Sequence, residues 1–418
     1  MTTIEPLRAL HYDLRRTGGL DDVVSPPYDV IDDTQRAQLA SRSPYNVVEI
    51  DLPEGGTDRY DNAARIFADW RWQGVVVQDE QPALWTLSQD YSGPDGVGRT
   101  RQGFFARVRV REYGPGTIRP HERTHPGPKE DRLRLTRATQ ASLSPIFSLY
   151  SDPDRTAWAA LSNAADRSTE AETTDADGTV SRLARVTDPA AIAAAQATLH
   201  DTELLIADGH HRYETARVYA DEIGGEGAHR YVLMCLVALQ DPGLTVFPTH
   251  RLVRGLDAAR RDALATAISS NFEIAELDDT AQLAPASSDA VRIGYIDADS
   301  KRPLMLTLRD QRIADEALPG HAPPYRRLDT AVLEAVILKA ALGMTDHDID
   351  ELNGLGYARD FAQALELIDD GSYDVAFFMA PTPVQRIQEV AAAGESMPPK
   401  STYFFPKVPT GLLFNPLA

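Results

Sequence analysis

The segment LLIADGHHRYETARVYA, residues 204–220, constrains the fold more than any other part of the chain. Its opening apolar run predicts a buried strand that ends at Ala207, and Asp208 and Gly209 predict a tight turn. Apolar and small residues then recur at helical spacing, which predicts a helix that begins near His210. A strand that runs through a turn into a helix indicates a domain that contains both kinds of element.

The start of this predicted helix is suited to bind an anion. A helix N-terminus presents backbone N–H groups and a partial positive charge. Gly209 would let a ligand approach the backbone, and His210, His211 and Arg212 add donors that suit phosphate oxygens. Asp208 fits two roles, since it can cap the helix or hold a metal ion that bridges phosphates.

Predicted strands and helices alternate along the chain, so we predict a mixed α/β (α+β) fold. Because 418 residues exceed one small core, two or three domains are expected. We predict a catalytic region over residues 1–254 and an accessory α/β domain over 255–395. Residues 396–418, rich in proline and aromatic residues, are expected to fold back toward the site. The polar stretch at 164–178 predicts a surface loop or a hairpin tip.

Composition excludes several classes of protein. The formal net charge of −20 argues against a broad surface that grips nucleic acid. The single cysteine, Cys235, excludes an internal disulfide, and its apolar surroundings predict an inert core thiol. Because neither a signal peptide nor a run of about 20 apolar residues is evident, we expect a cytoplasmic protein without a membrane partner. The oligomeric state is left open.

The string HERTH, residues 121–125, matches the zinc-peptidase pattern H-E-x-x-H. That chemistry needs a helix, because the two histidines must face one metal from successive turns. Pro126 biases His125 away from helical geometry, so a helix could not continue past it. The zinc interpretation therefore fails, and a proline-stiffened polar loop remains, of the kind that suits active sites. Its ligand-binding candidates are His121, Arg123, Thr124, Lys129 and Arg132.

Several motifs of the chain resemble those of known families. The D-G-H-H-R string followed by Ala216 resembles the phosphate-binding box of the ParB/sulfiredoxin superfamily, and it is most similar to that of the free-serine kinases. The whole chain resembles the family known as domain of unknown function 1015, through PPYDVI, NVVEIDLP, RPHERTHPGPKEDRL, SPIFSLY, IADGHHRYETA, FPTHR and PPKSTYFFPKVPTGL. The resemblance implies a ParB/sulfiredoxin-like catalytic core with mixed sheets and an additional C-terminal α/β region. His210 stands where sulfiredoxins place their catalytic cysteine, so sulfiredoxin chemistry is excluded.

The activity implied is phosphoryl transfer to the hydroxyl group of a small metabolite, with free L-serine as the first choice. Such chemistry needs cationic groups and Mg²⁺ around the transferred phosphate, and a carboxylate that orients the acceptor. For that carboxylate we favour Glu122, with Glu49 as the competitor because the serine kinases use an early glutamate. Asp208, also the metal candidate, and His211 complete the predicted catalytic set. Glu49 equally fits an outward position on an edge strand.

The donor is left open between ATP, ADP and diphosphate, because the chain has no Walker A string. Two alternatives to a kinase remain, a nucleotide or phosphate hydrolase or sensor, and a ParB-like regulator that binds nucleic acid. The acidic composition disfavours the second alternative. Further phosphate-binding candidates in the C-terminal segment are Lys400, Ser401, Thr402 and Lys407.

Overall fold

The computed structural model describes residues 2–122 and 126–418, without the side chains of 126–128. It shows a mixed α/β fold, as predicted. No helix in the described residues is long and apolar enough to cross a membrane. The chain forms two compact units: Met1–Pro120, Thr124–Leu244 and Pro406–Ala418 in the first, and His121–Arg123 and Thr245–Phe405 in the second.

A nine-stranded mixed sheet organises the first unit. Its strands are β1 (Ile4–Glu5), β4 (Leu84–Ser92), β5 (Gly98–Arg109), β6 (Ile118–Arg119), β8 (Ile146–Tyr150), β9 (Asp166–Thr174), β10 (Val180–Val186), β11 (Leu204–Asp208) and β12 (Tyr231–Ala238). The order is β6-β11-β8-β12-β5-β4-β10-β9, with β1 on β5. Two pairs are parallel, β11 with β6 and β12 with β8. Two small pairs accompany the sheet, β2 (Leu10–Tyr12) with β3 (Val76–Gln78), and β7 (Ala141–Ser142) with β21 (Asn415–Pro416).

Local sequence signals explain where the helices of the first unit begin. Asp188 precedes Pro189 and accepts a hydrogen bond from the Ala191 backbone N–H, a standard cap and first-turn pair. The helices are α1 (Leu14–Thr17), α2 (Asp33–Arg42), α3 (Val48–Asp51), α4 (Arg59–Trp72), α5 (Pro126–Thr139), α6 (Thr156–Ala164), α7 (Pro189–His200) and α8 (His210–Ile223).

The core of the first unit lies on the central strands. Side chains such as Phe104, Ile146, Ile206 and Met234 are fully buried in one cluster. Burial of each such side chain contributes about 1.5–3 kcal/mol, so the strands that carry the polar residues described below are firmly held.

A six-stranded antiparallel sheet organises the second unit. The strands of this unit are β13 (Thr245–Phe247), β14 (His250–Val253), β15 (Phe272–Glu276), β16 (Arg292–Asp297), β17 (Leu304–Leu308), β18 (Leu355–Ala358), β19 (Val375–Phe378) and β20 (Tyr403–Phe405). The sheet order is β15-β17-β16-β19-β14-β18, and β13 pairs with β20. Its helices are α9 (Ala258–Asn271), α10 (Gln311–Ala317), α11 (Pro323–Arg326), α12 (Asp329–Val332), α13 (Asp346–Asp350), α14 (Phe361–Asp369) and α15 (Val384–Ala392), with a π-helical turn at Leu333–Lys339.

Two local predictions differ from the structure, and a third agrees in part. Glu49 lies in the one-turn helix α3 and not on an edge strand, because the buried Asn46 side chain accepts from the Val48 N–H and starts a helical turn. The polar stretch at 164–178 contains strand β9, whose exposed charged residues suit a sheet edge, and its last residues form the turn between β9 and β10, in agreement with the predicted hairpin tip. The observed division of the chain lies at 244/245, ahead of the predicted 254/255, because β14 pairs with β18 and β19.

Candidate functional site

The D-G-H-H-R segment forms the predicted strand, turn and helix. β11 ends at Asp208, Gly209 adopts a φ of 93°, and α8 begins at His210. A Cβ at Gly209 would lie 2.9 Å from the Nε of Arg212. Glycine is therefore required for both its conformation and the close approach of a side chain. The Arg212 guanidinium lies beside Gly209 on the side where a Cβ would stand, and ligand binding at the Gly209 backbone stays a prediction.

Asp208 binds two cations. Its Oδ2 accepts from Arg212 Nη2 at 2.6 Å, and its Oδ1 accepts from Lys407 Nζ at 2.7 Å. The interpretation of Asp208 as the cap of α8 is wrong, because Gly209 is the N-cap residue and no side chain caps the helix there. Burial alone would raise the pKa of Asp208, but the charges of Lys407 and Arg212 outweigh it and hold the pKa well below its usual value.

Most of the hydrogen-bond donors of Arg212 bind other groups of the protein. Its Nη1 donates to Ser144 Oγ at 2.7 Å and to the Pro145 carbonyl, while Nη2 holds Asp208. Arg212 therefore positions Asp208, and its buried Nε has no hydrogen-bond partner among the described residues.

A second arginine, Arg101 on β5, is buried beside this cluster and was not predicted. Its side chain is 1% exposed, and its guanidinium lies 4.5 Å from the ring centre of Phe147. Its Nη2 donates to Gln89 Oε1, and Gln89 Nε2 donates to the backbone carbonyl of Lys407 at 3.2 Å. The sequence signal was an arginine on the inward side of a strand, visible only once the face of β5 is known.

The charges around Asp208 do not balance. Arg101, Arg212 and Lys407 carry three positive charges, and the Asp208 carboxylate supplies one negative charge. All four side chains are largely buried, where an uncompensated charge is costly. Among these four side chains positive charges therefore outnumber negative ones, and the carboxylate of Asp241 also acts on Arg101.

A small cavity of about 50 Å³ adjoins the turn and is lined by Asp51, Arg132, Ser144 and Arg212, among others. Arg132 Nη1 donates to the Asp51 carbonyl at 2.6 Å and lies 3.3 Å from its carboxylate, and its Nη2 donates to Asp131 at 2.6 Å. Burial raises the pKa of Asp51 although Arg132 lowers it. Arg132 therefore holds neighbouring carboxylates in this structure.

Other predicted residues of the first unit lie in separate ion pairs. Lys129 Nζ contacts Glu214 at 2.9 Å. Glu49 is half-buried, with Arg36 Nη2 at 3.7 Å from its Oε1. His210 is buried and its charge contributes to the low pKa of Asp208, whereas His211 is half-buried.

The remaining candidates lie in the second unit. His121 is fully buried, and its Nε2 lies 2.8 Å from Thr402 Oγ1. Glu122 forms an isolated bridge with Met397. Buried Ser401 donates to the Pro398 carbonyl at 2.7 Å, and Lys400 is exposed. Arg123, Thr124 and His125 lie outside the described residues.

The surroundings of Asp208 do not fit a magnesium site. Magnesium in phosphate-binding sites is held by one or two carboxylates together with phosphate oxygens. Both oxygens of Asp208 already accept from cations, so Mg²⁺ there would lie beside two positive charges that repel it. In residues 2–122 and 126–418, no group of three or more His, Cys, Asp and Glu side chains could hold a metal ion. We therefore assign no step to a metal ion at Asp208.

A family model now identifies the chain. The model described as protein of unknown function (DUF1015) matches residues 4–331, which is most of the sequence. The chain belongs to the DUF1015 family. In this DUF1015 protein the matched range includes the D-G-H-H-R turn and Arg101, while Lys407 lies beyond its end.

Solved structures also resemble the DUF1015 protein. A conserved hypothetical protein from Pyrococcus furiosus is 14% identical, with a TM-score of 0.35, over 70% of this chain and 89% of that chain. A variant of a free serine kinase in complex with AMP is 11% identical, with a TM-score of 0.37, over 69% and 83%. SbnI with C-terminal truncation from Staphylococcus aureus is 12% identical, with a TM-score of 0.36, over 72% and 82%. A comparison with curated proteins found no match.

Proposed function

We propose that this protein is a phosphotransferase that moves a phosphoryl group from ATP, ADP or diphosphate to a small hydroxyl compound, with free L-serine as the first acceptor to test. The observation that carries the proposal is the excess of buried positive charge at the start of α8. Arg212 and Lys407 pair with Asp208, and Arg101 lies near enough to interact electrostatically with that carboxylate. Such a cluster matches the charge of a terminal phosphate group.

Phosphoryl transfer depends mainly on position and on electrostatic stabilisation of the transferred oxygens. In this site Asp208 accepts a hydrogen bond from Lys407 Nζ at 2.7 Å and fixes the position of the ammonium group. Arg212 fixes Asp208 through Ser144 and the Pro145 carbonyl. The result is a rigid cationic group beside a helix N-terminus, which costs little reorganisation when charge develops.

The acceptor base stays a prediction with two candidates. Glu122 is favoured for its stiff segment, and Glu49 is the competitor. E122Q and E49Q keep the size of each side chain and remove its ability to accept a proton. The variant that loses turnover while it still binds the donor identifies the base.

The test is product formation. We would incubate the protein with L-serine and each of ATP, ADP and diphosphate, with Mg²⁺ and separately with EDTA, and follow O-phosphoserine by mass spectrometry. Phosphoserine with at least one donor is expected, and the EDTA samples test the predicted need for Mg²⁺. Folded protein that forms no phosphoserine with any donor would remove serine from the proposal.

Site variants link any product to the turn. K407M is expected to lower kcat/KM by about 10²-fold, the usual loss when one donor to the transferred group is removed. K301M is the matched control, because Lys301 forms an exposed pair with Asp369 at 2.9 Å in the second unit. Release of inorganic phosphate that serine does not change would identify a hydrolase instead.

A further inference from the structure

Arg101 is a buried cation with unused hydrogen-bond donors. Its Nε and Nη1 are buried and have no hydrogen-bond partner in residues 2–122 and 126–418. Within the described part of the chain its one hydrogen bond runs from Nη2 to the neutral amide oxygen of Gln89. Buried polar groups are nearly always satisfied, so two unpaired donors on one buried guanidinium require an explanation.

Strand pairing places Arg101 close to Asp208. Its guanidinium lies over the ring of Phe147 on β8, and Phe147 is the register partner of Asp208 on β11. A second link runs through Gln89, which bonds to both Arg101 and the backbone carbonyl of Lys407. Both links lead to the same ion cluster within the first unit.

The two groups in direct contact with Arg101, Gln89 and Phe147, do not compensate its charge. A ring face and an amide oxygen stabilise a guanidinium, yet neither carries a formal negative charge. Burial lowers the pKa of Arg101, and the nearby charges of Asp241 and Asp208 only partly oppose that effect. Arginine stays protonated in proteins, so Arg101 keeps its positive charge.

We infer that Arg101 is a ligand of the bound anion, with Nε and Nη1 as donors to the oxygens of a phosphate group that carries at least two negative charges. This inference rests on the proposed function for the identity of the anion. It assigns to β5 a contact that the D-G-H-H-R turn does not supply. It also explains why a guanidinium is buried in a sheet with two donors unused.

Equilibrium binding of diphosphate, measured by titration calorimetry, tests the inference. We would compare wild type with R101M, K407M and R107M. Arg107 is the matched control, since it lies on the same strand, packs over Tyr231 at 4.7 Å and pairs with Glu5. R101M is expected to weaken binding by at least about 10-fold, as removal of a charged hydrogen-bond donor does. R107M is expected to bind as wild type does.

The melting temperature measured without the anion distinguishes an anion-binding role of Arg101 from a structural role. Replacing a buried, poorly paired cation with an apolar side chain of similar length is often neutral or stabilising. R101M should therefore match or exceed the wild-type melting temperature without anion, and lose the rise that diphosphate produces. A large loss of stability with unchanged diphosphate affinity would show that Arg101 is structural.

The outcomes distinguish this inference from the proposed function. If wild type binds none of diphosphate, ADP and ATP, both fail. If K407M weakens binding and R101M does not, the inference about Arg101 is wrong and the proposed function stands. If R101M does not fold, R101K decides, because lysine keeps the charge and loses the two fork donors. Wild-type affinity in R101K would then refute the inference.

Discussion

Replacing Asp208 with asparagine tests the ion cluster directly. Asparagine keeps the shape of the side chain but removes the negative charge that holds Arg212 at 2.6 Å and Lys407 at 2.7 Å. Breaking a buried pair by removal of one partner costs about 3–5 kcal/mol, because the other charge is left uncompensated. The side chains of Asp208 and Lys407 are 14% and 17% exposed, so we expect the low end of that range.

Tryptophan fluorescence reports on the first unit, which contains Asp208. The four tryptophans, Trp70, Trp72, Trp85 and Trp158, all lie in the first unit. Their signal during urea denaturation therefore reports the unfolding of that unit. With a slope of about 3 kcal/mol per molar urea, a loss of about 3 kcal/mol lowers the midpoint by about 1 M.

The matched control is E130Q. Glu130 and Arg134 form an exposed pair at 2.8 Å on α5, and such pairs contribute less than about 1 kcal/mol. If D208N shifts the midpoint no more than E130Q does, Asp208 does not hold the cluster and our account of the turn is wrong. Diphosphate should also raise the midpoint of D208N more than that of wild type, since the variant has one more uncompensated cation.

Further predictions follow from named contacts. G209A should destabilise the turn by about 1–2 kcal/mol and displace the Arg212 guanidinium, which a lower denaturation midpoint and weaker diphosphate binding would show. Cys235 is fully buried and burial raises the pKa of its thiol to about 12, so a thiol reagent should label it only after unfolding, and rapid labelling of native protein would contradict this. Burial lowers the pKa of His11, yet its contacts with Asp79 and a backbone carbonyl outweigh burial and raise it above 6.5. The stability from protonated His11 is therefore fully present below pH 6.5 and lost as the pH rises above it; urea midpoints should fall over that range in wild type and stay level in H11Q.

The strand, turn and helix at the site were predictable because their signals are local. An apolar run, a D-G pair and helical spacing lie within 17 consecutive residues, and each favours the same structure. The same local logic failed at Glu49. There the alternation of apolar residues predicted a strand, but the buried Asn46 side chain bonds to the Asp22 carbonyl and the Val48 N–H and starts a helical turn.

The roles of charged residues could not be predicted from local signals. Asp208 was interpreted as a cap or a metal ligand, because nothing near it in the sequence reveals Lys407, 199 residues away. Arg101 was passed over because a strand arginine is usually exposed, and its burial depends on the pairing of β5 with β4 and β12. Long-range pairing decides which charged residues meet, and it leaves no local pattern.

The ion cluster also offers a physical reason for a carboxylate within the proposed anion site. Three buried cations without any counter-charge would repel one another and destabilise the fold. Asp208 compensates one charge and fixes Arg212 and Lys407 in place, so those groups need little reorganisation when a ligand arrives. Three carboxylates, one for each cation, would compete with the ligand, whereas one carboxylate leaves a site that attracts an anion. On the proposed function, Asp208 therefore lowers the affinity for the anion but stabilises and preorganises the cluster. D208N should raise the stabilisation by diphosphate and lower the stability of the free protein.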